Sequence, residues 1–291
     1  MTSFDLAWGE HRLRFGPRPL IMGILNVTPD SFSDGGRFFT TRDALAQAEK
    51  MIREGADIID IGGESTRPFS EAVSEAEETR RVIPVVEALA NRVKIPISID
   101  TSKAAVARRA LDAGASMIND ISALRADPEL AGVAAGSDVP IILMHMKGSP
   151  GNMQVSPEYD DLFGEIYTFL EQAVAAAEEK GIHRSRLIID PGIGFGKTVQ
   201  HNLLLLKHLS NFKAMNLPVL IGTSRKAFVR KLLKSDHLTD IDPQQPMVET
   251  GTQATVAAAA LNGADIVRVH NVADTLATLK IVAAIQTAEP E

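Results

Sequence analysis

Short runs of β-branched and aliphatic residues recur along the whole sequence, each too brief for a helix and too continuously apolar for a strand with one wet face. Runs of this kind read as parallel strands buried on both sides. Eight can be counted: Leu20 to Leu25, Ile58 to Ile61, Ile97 to Ile99, Met117 to Asn119, Ile141 to Met144, Leu187 to Ile189, Val219 to Ile221, and Ile266 to Val269. Between most of them lie amphipathic segments with helical spacing, such as Ala44 to Glu54, Ser74 to Ala90, Ala104 to Ala113 and Phe163 to Lys180. Strand then helix, eight times over, predicts the α/β class and a (β/α)8 or TIM barrel, which takes about 250 residues; the chain has 291. A doubly wound open sheet usually has fewer strands and a glycine-rich first turn, whereas the first run here ends at Asn26.

Three helix-to-strand junctions share one pattern: Gly55-Ala56-Asp57-Ile58, Gly114-Ala115-Ser116-Met117 and Gly263-Ala264-Asp265-Ile266. Each glycine falls just past a helical stretch, where a left-handed residue ends a helix. Ahead of the first run, Phe4, Leu6 and Trp8 alternate with polar residues, the chain turns at Gly9, and Leu13 and Phe15 resume the alternation. This predicts a β-hairpin over about residues 4–16, capping the bottom of the barrel. No linker rich in Pro, Ser or Gly divides the sequence, so one domain is expected over 1–291, with a tail after about Thr287.

The absence of cysteine removes thiolate nucleophiles, disulfides and Cys-bound metals. A formal net charge of −7 has the wrong sign for a nucleic-acid or anionic-membrane binder, so an anionic ligand has to be held locally. No stretch approaches the roughly 18 apolar residues of a membrane span, and Asp5 and Glu10 stand where a signal peptide needs an apolar run, so a cytoplasmic protein is expected.

In a barrel of this kind the chemistry sits at the C-terminal ends of the strands. Those ends carry Asn26, the segment Glu64 to Arg67, Asp100, Asn119, His145, Asp190, Ser224 to Lys226, and Arg268 with His270. Carboxylates and amides beside a lysine and arginines suit a small polar ligand with a donor-rich part and an anionic part.

The stretches ILNVTPDSFSDGG (24–36), GGESTRP (62–68), SIDTSK (98–103), INDIS (118–122), LMHMKGSPGNMQ (143–154), DPGIGFGK (190–197), GTSRK (222–226) and IVRVHNV (266–272) together resemble the dihydropteroate synthases of folate biosynthesis, pterin-binding barrel enzymes. The resemblance runs from about Pro19 to Ala284. It implies a transferase that joins 6-hydroxymethyl-7,8-dihydropterin diphosphate to p-aminobenzoate, with Mg2+, releasing pyrophosphate by dissociation through a pterin cation. It also implies a target for sulfonamides and a homodimer built from the last helices. By the resemblance Asp100, Asn119, Met144, Asp190 and Lys226 hold the pterin. Asn26, Thr66, Arg67, Arg268 and His270 hold the diphosphate, with Asn26 reaching the metal. Phe32, Thr66, Pro68, Phe195, Ser224 and Lys226 form the p-aminobenzoate pocket, and the catalytic set is Arg67, Asp100, Lys226, Arg268 and His270. A carboxylate such as Asp190 can take a bidentate pair of N–H bonds from a 2-amino-pyrimidinone edge. Two loops, Val27 to Arg37 and Gly63 to Ser70, are expected to close over the diphosphate.

Three positions depart from the family: Phe69 where glycine is usual, Ala227 where a polar residue is common, and Arg230 where glycine is common. The first two border the aminobenzoate pocket; the third reads as a surface change. GIGFGKT (192–198) imitates a phosphate-binding loop, but Pro191 stands where its first glycine belongs. No histidines pair as HxH or HExxH, so zinc is not expected, and His145 reads as a packed strand-end residue. Asp60, Glu64 and Asp120 read as hydrogen-bonding framework. A pterin-dependent methyltransferase, a non-catalytic pterin-binding paralogue and a Schiff-base aldolase using Lys226 are the competing readings.

Overall fold

The computed structural model describes residues 5–28, 40–65, 72–149 and 151–289. Eight parallel strands follow the sequence runs to within a residue or so at either end: β3 (Leu20–Asn26), β4 (Ile58–Gly62), β5 (Ile97–Asp100), β6 (Met117–Asp120), β7 (Ile141–Met144), β8 (Leu187–Asp190), β9 (Leu220–Ile221) and β10 (Ile266–Val269). They pair in the order β8-β7-β6-β5-β4-β3-β10-β9, and a parallel bridge between Ile189 and Val219 joins the two ends. The sheet is therefore closed into a barrel. Val219, read as the start of the seventh strand, serves as that bridge instead.

The strands are apolar on both sides because both sides are covered. Met22, Ile58, Ile61 and Ile99 are fully buried, and helices wrap the outside: α1 (Thr41–Arg53), α2 (Glu75–Ala90), α3 (Ala104–Asp112), α4 (Leu130–Ser137), α5 (Leu162–Glu179), α6 (Val199–Lys207), α7 (Ala227–Leu233), α8 (Pro246–Leu261) and α9 (Val272–Gln286). In α1 the spacing of Ala44, Leu45, Ala48 and Met51 makes one buried stripe, and Thr40 caps the helix in a reciprocal pair with Asp43. The approach of α1 is close: a Cβ at Gly23 in β3 would lie 2.7 Å from the Met51 sulfur. Gly55, Gly114 and Gly263 end their helices with φ near +100°, as the junction pattern predicts.

The hairpin forms from β1 (Asp5–Trp8) and β2 (His11–Arg14) and buries Leu6, Trp8, Leu13 and Phe15. Trp8 Nε1 donates to the Ser116 carbonyl at 2.7 Å, just ahead of β6, and Arg186 donates to the Ala7 carbonyl at 2.9 Å, just ahead of β8. Both contacts lie at the N-terminal ends of the strands, so the hairpin closes the bottom of the barrel. The C-terminal mouth is left for the ligand.

Candidate active site

Strand register brings the expected polar residues to one rim. Asn26 pairs with Gly62, Gly62 with Asp100, Asp100 with Asn119, and Met144 with Asp190. Across the mouth Arg268 reaches from β10 and donates through Nε to Asp60 Oδ2 at 2.6 Å and through Nη2 to Asp100 Oδ2 at 2.6 Å. Asn119 Nδ2 donates to the same Asp60 oxygen at 3.0 Å. Asp60 is thus the hub that aims two of the expected ligand-binding side chains, a role beyond the framework part read from sequence. Its Oδ1 and the Ser98 hydroxyl, register neighbours inside the barrel, are buried without a hydrogen-bond partner among the described residues.

Burial sets the titration of this rim. It pushes the Asp100 carboxyl up to about 7, with Arg268 opposing. Burial also raises Asp190, against the pull of Lys226, while the Gly192 amide donates to Asp190 Oδ1 at 2.7 Å. Burial lowers Lys226 to about 8, with Asp190 opposing. The Lys226 ammonium bonds the Ile193 carbonyl and lies 4.6 Å from the centre of the Phe195 ring, so two of the side chains expected in the site from the sequence are in contact. Met144 packs with Met146 and Met153 in a small apolar cluster that includes Phe195. Ser224 Oγ lies 2.9 Å from His270 Nδ1 and accepts from the His270 amide at 3.3 Å. When the hydroxyl donates to Nδ1, the ring proton sits on Nε2.

The segment from Gly192 to Lys197 is a clamped turn. Gly192, Gly194 and Gly196 have positive φ, and a Cβ at Gly192 would lie 1.8 Å from the His145 carbonyl. Its carbonyls accept from side chains in turn: Ile193 from Lys226, Gly194 from Gln154 at 2.5 Å, Phe195 from Lys197 at 3.0 Å and Gly196 from Tyr159 at 2.8 Å. Lys197, where a phosphate loop would have its lysine, is only 3% exposed and turns to His145 Nδ1 at 2.9 Å. Sequence reasoning missed this lysine, since nothing local marks it as buried. His145 is itself packed edge-on against Phe169, and burial lowers it to about 2, keeping it neutral.

One reading is corrected. Arg230 is not a surface change: its side chain is 16% exposed and bridges Asp240 and the Arg225 carbonyl. Phe32, Thr66, Arg67, Pro68 and Phe69 lie outside the described residues. Among the described residues no group of three or more His, Asp or Glu side chains could hold a metal ion, and no helix is long and apolar enough to cross a membrane.

A family model described as pterin binding enzyme matches residues 22–270. A dihydropteroate synthase of Synechocystis is 48% identical over 264 residues, covering 91% of this chain and 89% of its own. The chain belongs to the dihydropteroate synthase family. It is a transferase of that family, with the barrel and hairpin of its solved members. A Yersinia pestis dihydropteroate synthase in a sulfonamide drug complex superposes with a TM-score of 0.91 at 46% identity, covering 98% of this chain and all of the other. A Xanthomonas albilineans dihydropteroate synthase with 4-aminobenzoic acid gives 0.88 at 43% identity, covering 99% and 100%. The synthase reading thus displaces the methyltransferase, paralogue and aldolase alternatives.

Proposed function

We propose that the barrel mouth binds 6-hydroxymethyl-7,8-dihydropterin diphosphate and then p-aminobenzoate, and joins them to 7,8-dihydropteroate. The observation that carries this assignment is the inward rim of Asp100, Asn119 and Asp190 facing the cations Lys226 and Arg268. Asp190 accepts the pair of N–H groups on the aminopyrimidinone edge, Asn119 and Asp100 meet neighbouring ring atoms, and Lys226 donates to the ring carbonyl side. Met144 packs on the pterin face. Arg268 and His270, with Asn26, Thr66 and Arg67, take the diphosphate. Phe195, Ser224 and Lys226, with Phe32, Thr66 and Pro68, wall the aminobenzoate pocket, where sulfonamides would also sit.

The bond from the pterin methylene carbon to the diphosphate oxygen breaks with its electron pair leaving on oxygen. The arylamine nitrogen then forms the new C–N bond and releases a proton to water. Arg268 and His270 face the charge that grows on the leaving group, which is where fixed cations and donors act on rate. No side-chain nucleophile is required, in keeping with a chain that has no cysteine.

Magnesium fits this rim. A Cβ at Gly62 would make ordinary contact with Asn26 Oδ1 at 3.7 Å and with Asp100 Oδ2 at 3.6 Å, so two hard oxygens face the same glycine, one of them bonded to Arg268. Asn26 would hold the ion, the rest of the shell coming from the diphosphate and water, as suits a cation that keeps few protein ligands. When bound it neutralises charge on the leaving diphosphate.

We place the protein in the cytoplasm as a homodimer. Ile281 and Ile285 on α9 are 64% exposed, and Leu261 on α8 is 51% exposed, an apolar face that a second copy would cover. Light scattering at micromolar concentration should give twice the chain mass.

Purified protein, magnesium and the pterin diphosphate, with and without p-aminobenzoate, test the assignment. Pyrophosphate release matched by dihydropteroate, identified by mass, is expected. Binding of the pterin diphosphate without any dihydropteroate would refute it.

A further inference from the structure

Between Ser224 and Lys226, both in the proposed aminobenzoate wall, Arg225 has a φ of +58°. A residue with a Cβ and a long side chain rarely adopts this left-handed geometry, so its surroundings must impose it. Two hydrogen bonds do so. The Arg225 amide donates to Thr252 Oγ1 of α8 at 3.2 Å and the carbonyl accepts from Arg230 Nη1 at 2.7 Å, while the guanidinium lies 3.7 Å from Glu249, beyond hydrogen-bond reach.

Arg230 can reach back because it sits one turn into α7, whose N-cap is Lys226. Its other nitrogens grip Asp240 in a fork, Nε to Oδ1 at 2.9 Å and Nη2 to Oδ2 at 2.8 Å. Asp240 is held in turn by the Ile241 amide at 2.9 Å. Beneath them α7 abuts α8, since a Cβ at Gly251 would lie 2.7 Å from both Val229 and Leu233. A strut therefore runs from the segment between α7 and α8, through Asp240 and Arg230, to the peptide that carries Ser224 and Lys226. Only a planar guanidinium can bind a carboxylate with two donors and a carbonyl with a third in this way.

We propose that Arg230, braced by Asp240, is a positioning residue that sets affinity for the arylamine substrate by holding the Arg225 peptide, and with it the backbone that carries Ser224 Oγ, in place. This rests on the proposed function above. The effect falls on the arylamine because Ser224 belongs to that wall alone, whereas Lys226 Nζ is anchored separately by the Ile193 carbonyl. The pterin keeps contacts fixed elsewhere, Asp190 by the Gly192 amide and Asn119 by Asp60.

The test is two-substrate kinetics, with calorimetric binding of the dihydropterin diphosphate alone and thermal melting of each variant. Arg230→Met, which keeps the apolar stem, should raise the KM for p-aminobenzoate about tenfold, or ~1.4 kcal/mol, the scale of one charge-assisted hydrogen bond. Its kcat and the Kd for the pterin diphosphate should stay within about twofold of wild type. Arg230→Lys and Asp240→Asn should fall between. Adding Arg225→Gly to Arg230→Met should bring the KM back down, because glycine takes a positive φ without a strut. An unchanged KM in Arg230→Met, with wild type turning over normally, overturns the strut alone. So does a parallel loss of KM, kcat and pterin affinity that tracks melting temperature and is not relieved by Arg225→Gly. A wild type that makes no dihydropteroate overturns the function and the strut together.

Discussion

At the N-terminal end of the barrel, acidic residues are tied to the backbone. Asp57 takes both terminal nitrogens of Arg18 at 2.8 and 3.0 Å and the Ile21 amide at 2.8 Å, and Asp265 takes Lys213 and the Val219 amide. At the C-terminal end Asp60 and Asp100 are held by the side chains of Arg268 and Asn119, and Asp60 keeps one buried oxygen without a partner among the described residues. The same residue types therefore do different work. A carboxylate bonded to a strand amide staples elements that cannot move, whereas one bonded to Arg268 can exchange that partner for a ligand. Burial raises Asp265 at the bottom as it raises Asp100 and Asp190 at the top, so the upper rim is set apart by the buried lysine, Lys226, pushed down beside its carboxylates.

Removing Arg268 should break the top most severely. Arg268→Met leaves Asp60 and Asp100 buried without their cation, which should lower unfolding free energy by about 3–5 kcal/mol in denaturant titration and abolish dihydropteroate formation. A stable, active Arg268→Met protein would mean that Asp60 and Asp100 do not depend on it. At the bottom, Trp8→Phe removes the donor to the Ser116 carbonyl and should cost about 1–3 kcal/mol, lowering Tm by several degrees while leaving kcat unchanged. Loss of activity in that variant without loss of Tm would erase the contrast between the two ends.

The pH profile sharpens it further. In the proposed role Asp100 accepts from the pterin and has to be ionised to do so, which predicts that kcat/KM rises as pH climbs through about 7. Lys226 donates best when charged, so kcat/KM should fall as pH passes about 8. Trp8→Phe should keep both limbs, and Lys226→Arg should remove the alkaline one; a limb that stays in Lys226→Arg belongs to another group. The smallest effect expected is that of Gly55→Ala, where φ is +104° and the added Cβ meets only the flexible end of Leu276. About 1 kcal/mol of stability should be lost in thermal melts, with kinetics untouched.

The barrel was legible because a strand buried on both faces leaves an unbroken apolar run, and because a left-handed residue after a helix favours glycine, as at Gly55, Gly114 and Gly263. The strand-end residues Asn26, Asp100, Asn119 and Asp190 were legible for the same reason, since the end of each run fixes the rim. Partners were not. Arg268 and Asp60 are 208 positions apart, and no local pattern pairs them. Lys197 resembles the lysine of a phosphate loop until His145 is seen beside it. Arg230 passed for a surface residue because a positive φ at Arg225, the reason for its contact, leaves no trace in residue type.

The most direct measurement is calorimetric titration of 6-hydroxymethyl-7,8-dihydropterin diphosphate with magnesium into wild type, Asp190→Ala and Trp8→Phe. Wild type and Trp8→Phe should bind alike. Asp190→Ala should lose about 3 kcal/mol or more, over a hundredfold in Kd, for two charge-assisted bonds removed from a buried edge. Near-normal affinity in Asp190→Ala would contradict the assignment of the C-terminal rim as the pterin site.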